Sequence, residues 1–174
     1  EYQASPAWKS TWRAGTATDE SEFISNYPGA YRAQNDQLSW QNAVRINSAL
    51  NLLGALEWRR ESVAGTDALP VTSRRTNSVL LGADWQVDAA RFNTSARLDH
   101  SDQFGARSTV NASFGYRLSS SLRATFNAGN SFKAPTFNDL YYPGYANPSL
   151  KPERGQTVDA ALRWSSTGSK FSAT

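Results

Sequence analysis

Cysteine and methionine are absent from the 174 residues, and histidine occurs once. Without cysteine there is no disulfide framework and no thiolate metal site. No run approaches the roughly 18 consecutive apolar residues of a membrane-crossing helix. An excess of one charge sign is lacking too: 18 basic and 15 acidic residues are intermixed, for a net charge of +3. Nucleic-acid binding calls for a basic patch or stripe. None is visible, so nucleic acid is not an expected partner. The opening residues, EYQASPAWKS, have neither the basic start nor the apolar run of a secretory signal. The closing residues, FSAT, fall inside a segment that reads as strand. The chain is therefore expected to be a piece of a longer protein.

With 39% hydrophobic residues and a mean hydropathy of −0.58, the averages suit a soluble protein. A membrane β-barrel reaches similar averages by alternating apolar with polar residues. Such period-two alternation is the main pattern present. In residues 78–86, Val79, Leu81, Ala83 and Trp85 point one way; Ser78, Gly82, Asp84 and Gln86 point the other, with Leu80 the exception. Phe92, Thr94, Ala96 and Leu98 alternate with Arg91, Asn93, Ser95, Arg97 and Asp99. Val110, Ala112, Phe114 and Tyr116 alternate with Thr109, Asn111, Ser113, Gly115 and Arg117. Leu122, Ala124, Phe126 and Ala128 alternate with Arg123, Thr125, Asn127 and Gly129, and Val158, Ala160, Leu162 and Trp164 with Thr157, Asp159, Ala161 and Arg163. Less regular strands are expected at about 8–18, 37–46 and 50–60, and a last one begins near Lys170. The expected fold is all-β, an antiparallel up-and-down meander of about nine strands.

The connections alternate as well. Residues 19–36, 61–76, 100–107 and 132–156 read as longer loops, and 47–49, 87–90, 118–120 and 165–169 as short turns. Outer-membrane barrels have short periplasmic turns and longer extracellular loops; a Greek-key sandwich has no reason to keep that parity. With the short turns periplasmic, Trp8, Trp85, Phe92, Tyr116 and Trp164 fall near the periplasmic rim, and Trp40 and Trp58 near the outer one. Two aromatic bands are what membrane interfaces select. The competing reading makes these rings the core of a soluble sandwich. The opposite face carries Arg91, Arg97, Asp99, Arg117, Arg123, Asp159 and Arg163, expected to line a wet or plugged lumen, because so many charges on one face need water or partners.

Residues 130–155 read NSFKAPTFNDLYYPGYANPSLKPERG. Proline lacks an amide donor, so Pro135, Pro148 and Pro152 suit places where a strand ladder stops. Phe137, Tyr141, Tyr142 and Tyr145 lie between them and are candidate ligand contacts, since tyrosine offers large contact area at low entropy cost; packing onto the rim is the alternative. This stretch resembles a recurrent segment of TonB-dependent outer-membrane receptors. The likeness rests on Phe132, Lys133, Ala134 and Pro135, then Asn147, Pro148, Leu150, Pro152 and Glu153. Within that family it is most similar to cobalamin transporters, through Leu98–Gly105 and Arg74-Arg75-Thr76-Asn77. The resemblance implies a 22-stranded barrel around a plug, with plug and energy-coupling motif outside residues 1–174. It further implies outer-membrane lipid, the plug, TonB through the plug and a small-molecule nutrient as partners, with cobalamin as cargo rather than cofactor. Siderophore uptake within the same family, or a passive porin, are the alternatives.

Enzymatic chemistry is not expected. His100 has Ser95 and Ser101 nearby, but neither serine sits in a nucleophile motif. Glu57, Asp84 and Asp159 read as lumen lining. Asp99 and Asp102 flank His100 without the further oxygen ligands a cation needs, so no metal site is expected, and no phosphate loop, dinucleotide fingerprint or zinc spacing occurs. Arg59, Arg60 and Glu61 read as a solvated outer-rim cluster.

Overall fold

The computed structural model describes every residue except 25, 27, 167, 168 and 174. Its strands are β1 (Tyr2–Ser5), β2 (Trp8–Phe23), β3 (Gly29–Arg45), β4 (Leu50–Gly65), β5 (Ser73–Val87), β6 (Ala90–Ser101), β7 (Gly105–Arg117), β8 (Leu122–Lys133), β9 (Glu153–Ser166) and β10 (Ser169–Ala173). A short helix, α1 (Phe137–Tyr141), lies between β8 and β9. All ten strands form one sheet in chain order. Each pairs antiparallel with its sequence neighbours. The sheet is the expected meander, with β1 as an additional strand. Among the described residues no pairing joins β1 to β10, so the chain is an open wall.

The parity of the connections holds except at 102–104, which is shorter than the lower turns 46–49 and 118–121, and the long ones are shorter than their sequence suggests. At the upper rim they are 24–28, 66–72, 102–104 and 134–152; at the lower rim, 6–7, 46–49, 88–89 and 118–121. The expected turn at 165–169 contracts to 167 and 168, which lie outside the described residues. The expected loop at 19–36 is mostly strand, since Asp19–Phe23 pairs with Gly29–Ala33. The reason is that alternation is read from apolar residues. Above the membrane both faces of a strand meet water, and an all-polar strand has no hydrophobic period to show.

Residues directly opposed across an antiparallel pair share a face. Val44 opposes Leu52, Trp40 opposes Leu56, and Leu38 opposes Trp58. Val79 opposes Leu98 and Trp85 opposes Phe92; Phe92 opposes Phe114, which opposes Phe126. The apolar positions of successive strands therefore merge into one belt. It is uncovered: Leu81 is 64% exposed, Val158 69% and Trp12 59%. The only buried hydrophobic residues among those described are Val63, Phe137 and Leu140. A soluble sandwich would hide this face. Here the sheet has no core of its own, and its apolar area needs lipid to cover it.

The belt has the height of a membrane. It runs over residues 38–46, 50–58, 79–87, 90–98 and 110–118 of successive strands, matching the roughly 9–11 residues of a tilted transmembrane strand. Above it the same face turns polar, with Arg60 and Ser62 following Trp58, and Asp36 and Gln34 following Leu38. Trp8, Trp85, Phe92, Tyr116 and Trp164 stand at the short-turn end, stacking in part, with Trp85 and Phe92 rings 5.7 Å apart. Trp40 and Trp58 stand at the upper border of the belt, well below the loops, because β3 and β4 continue beyond it. Trp40 stacks on Trp12 at 5.1 Å, and its indole Nε1 donates to Ser10 Oγ.

The tightest upper connection, 102–104, leads into Gly105 at φ +67°, a left-handed conformation that costs L-residues with a Cβ roughly 1–2 kcal/mol. Gly105→Val is expected to weaken the β6–β7 hairpin by about that much, seen as faster amide exchange at the top of both strands with the lower halves unchanged.

Candidate functional site

The site is the upper rim, where the 134–152 connection folds back across the wall. The two halves of the sequence motif meet there. Lys133 and Glu153 are directly opposed at the ends of β8 and β9, and Phe132 opposes Arg154. Ala134 and Pro135 then leave the ladder, as expected where no amide donor is available. Thr136 caps α1: its hydroxyl accepts from the Asp139 amide, and its own amide donates to the Asp139 carboxylate. Such reciprocal capping satisfies two amides that a helix start leaves free. Asn147 closes the loop by donating its amide to the Asp139 carbonyl at 2.9 Å. Its carbonyl accepts from Leu150 and its side chain from the Ser149 amide. Pro148 thus occupies the second position of a turn, where its fixed φ fits. Pro152 directly precedes β9.

The capping bonds hold the Asp139 carboxyl below its ordinary range, the Thr136 side chain contributing most and its backbone amide next. A carboxyl lowered in the folded state stabilises above its unfolded pKa, and this contribution is lost as pH falls through the lowered value. Exchange of the Thr136 amide is therefore expected to stay slow through mildly acidic pH and to rise only below the usual carboxylate range. Asp139→Asn should remove this dependence.

A buried arginine anchors the connection to the wall. Arg74, on β5, donates to Glu61 through Nε at 2.7 Å and Nη2 at 3.0 Å, and through Nη1 to the Pro135 carbonyl at 2.8 Å. Its guanidinium lies 5.1 Å from the Phe137 ring and 5.8 Å from the Phe104 ring. Phe137 and Leu140 are buried beneath α1. Gln103 donates to the Tyr141 hydroxyl at 2.6 Å. The four aromatic candidates therefore divide. Phe137 and Tyr141 secure the loop, while Tyr142 and Tyr145 stack on each other at 4.9 Å, Tyr142 half-buried and Tyr145 73% exposed.

Tyr142 and Tyr145 border a cleft of about 940 Å³ whose other walls include Phe23, Tyr31, Leu69 and Asp67. The Asp67 carboxylate raises the Tyr142 phenol above its ordinary pKa, and the 66–72 and 134–152 connections meet at this cleft. Sequence reasoning missed Arg74 as an anchor, along with Gln103, Phe104 and Asp67. Glu61 and Arg74 are cross-strand partners, a relation that register reveals and linear spacing does not.

Below the site the polar face is ion-paired over β4 to β6. Arg97 reaches Glu57 at 2.7 Å and Asp99 at 2.8 Å; Ser78 accepts from Arg97 and donates to Asp99. Arg91 holds Asp84 at 2.9 Å, and Asn127 donates to Asp159. Arg117, Arg123 and Arg163 lie on the same face without a carboxylate within ion-pair reach among the described residues. His100 falls on the lipid side, its cross-strand partners being Asn77 and Ala106. No group of three or more histidine, cysteine, aspartate or glutamate residues suited to a metal occurs among the described residues.

A meander with an uncovered apolar belt of membrane height, a charged opposite face and its long loops on one rim is the wall of an outer-membrane β-barrel. The chain belongs to the family described as TonB dependent receptor-like, beta-barrel, whose model matches residues 1–174. Proteins of this family reside in the outer membrane of Gram-negative bacteria. The chain is 38% identical over 138 residues to the vitamin B12 transporter BtuB of Photobacterium profundum, covering 75% of this chain and 23% of that protein. It is 26% identical over 182 aligned positions to the protein of the same name from Vibrio cholerae, covering 97% and 29%. The chain thus spans about a quarter of the length of these relatives. Among solved structures it resembles the siderophore receptor PirA of Pseudomonas aeruginosa, with TM-score 0.70, 15% identity and coverage of 95% and 40%. It also resembles the ferric enterobactin receptor PfeA of the same organism, with TM-score 0.73, 15% identity and coverage of 95% and 31%. These two likenesses show the fold.

Proposed function

We propose that residues 1–174 form part of the barrel of a TonB-dependent receptor that takes up cobalamin across the outer membrane. The observation that carries the reading is the aromatic cleft on the long-loop rim. Its volume lies within the roughly 300–1,000 Å³ range of small-molecule sites, and Tyr142, Tyr145, Tyr31 and Phe23 supply rigid contact area. Likeness to proteins named vitamin B12 transporters supports cobalamin over siderophores. The cargo is held by noncovalent contacts at the outer rim, and no resident cofactor or metal is proposed. Transport then requires energised movement of a plug in the lumen, driven through TonB. Both lie outside this chain.

The test is equilibrium binding of labelled cobalamin to the full-length receptor in detergent, with a ferric siderophore as competitor. Nanomolar binding that the siderophore leaves unchanged is expected. Tyr142→Ala and Tyr145→Ala should each weaken it by about 1–3 kcal/mol, the range for aromatic contacts at interface hot spots. A folded receptor that ignores cobalamin but binds the siderophore would sink the cobalamin assignment.

A further inference from the structure

Arg117, Arg123 and Arg163 form a row. Arg117 is directly opposite Arg123 in the β7–β8 register, and Arg123 is directly opposite Arg163 in the β8–β9 register. Facing residues in such pairs have Cβ atoms roughly 4.5–5.5 Å apart, and like charges so placed repel. All three side chains are exposed on the polar face, just above the short-turn rim. Elsewhere on that face Arg74, Arg91 and Arg97 each hold a carboxylate at 2.7–2.9 Å, and Arg13, Arg45 and Arg107 stand opposite Ser39, Asn51 and Asp99 rather than a second arginine. Next to the row on the same face stand Gly115, Thr125 and Ala161, small residues that leave room in front of it. The nearest carboxylate along β9 on this face is Asp159, one full strand repeat beyond Ala161 and engaged by Asn127.

We infer that this row is a docking site for carboxylate side chains of the receptor's own lumen-filling segment, outside residues 1–174. The inference rests on the barrel reading, which makes this face the lumen wall. Charge complementarity selects the chemistry: three guanidinium groups in a line suit two or more aspartates or glutamates, which arginine can bind with paired hydrogen bonds. The location selects the source. The row faces inward, away from lipid headgroups, and lies at the opposite end of the wall from the ligand cleft. Held there, the lumen segment is fixed at its periplasmic end while its outer end stays free to contact cargo.

The test is hydrogen–deuterium exchange of the full-length receptor in detergent, comparing wild type, Arg123→Glu, and a triple variant with Arg117, Arg123 and Arg163 each changed to lysine. Arg123→Glu is expected to speed exchange roughly tenfold in lumen peptides outside residues 1–174, the factor given by losing about 1.4 kcal/mol. The lysine triple, which keeps the charge, should retain most of the protection. Faster exchange confined to β7–β9, or no change anywhere in the lumen segment, would overturn the inference. So would unchanged lumen exchange with altered binding of inorganic phosphate, which would assign the row to a free anion. A full-length receptor that conducts ions as an open pore would instead refute the plugged-receptor reading, and is distinguishable from all of these.

Discussion

Leu81→Lys will destabilise the full-length receptor by about 2–4 kcal/mol, the measured range for lysine or arginine near the bilayer midplane of a barrel. Leu81 sits well inside the apolar belt and is 64% exposed. In a soluble protein, lysine at so exposed a position would be nearly neutral, since surface substitutions usually fall within about ±0.5 kcal/mol. The difference arises because the lysine must desolvate its charge or snorkel to an interface. The companion change Ser95→Lys points to the other face, in the row between Gly82 and Asn111, and should cost far less. Guanidinium unfolding of both variants in phospholipid vesicles measures the contrast. Equal, small effects would mean that lipid does not cover the belt.

The second large effect is expected at Arg74. Arg74→Ala removes both hydrogen bonds to Glu61 and the donor to the Pro135 carbonyl, and leaves Phe104 and Phe137 without the cation between them. Breaking a buried ion pair by deleting one partner costs about 3–5 kcal/mol. Glu61 retains some solvent contact, with 24% of its side chain exposed, so about 2–3 kcal/mol is expected. That cost falls on the docked state of the 134–152 connection rather than on the barrel. Limited proteolysis near Lys151 should therefore accelerate by more than tenfold while global unfolding stays put. Arg74→Lys will rescue little, because an ammonium cannot reproduce the two-pronged contact with Glu61 while also reaching Pro135.

The lipid-facing half of the wall was legible in the sequence because each strand there writes its register in alternating side chains. Val79, Leu81, Ala83 and Trp85 announce β5, and Val110, Ala112, Phe114 and Tyr116 announce β7. Legibility fails where the solvent stops being asymmetric. Asp19–Phe23 and Gly29–Asp36 are strands with water on both sides, so they read as loop. β1 is too short to show a period. Helix α1 was missed for another reason: five residues carry no helical repeat. Its signature was the cap, Thr136 followed three positions later by Asp139, in a place where prolines already suggested a break. In the candidate site, Pro135 and Pro152 stand beside the ends of β8 and β9, where a ladder stops, whereas Pro148 lies inside the connection at a turn. The division of labour among the aromatics was not readable, because whether Phe137 is anchor or contact depends on an arginine three strands away in the sheet.

The 102–104 turn is the shortest connection of a rim otherwise built of longer ones, and α1 meets it through the Gln103–Tyr141 hydrogen bond and through Arg74, which lies against both Phe104 and Phe137. The two segments therefore cannot vary independently over evolutionary time. An insertion at 102–104 would displace α1, and a shortened 134–152 would uncover Phe104. Among descendants of this gene, length changes in the two loops should be correlated and opposite in sign.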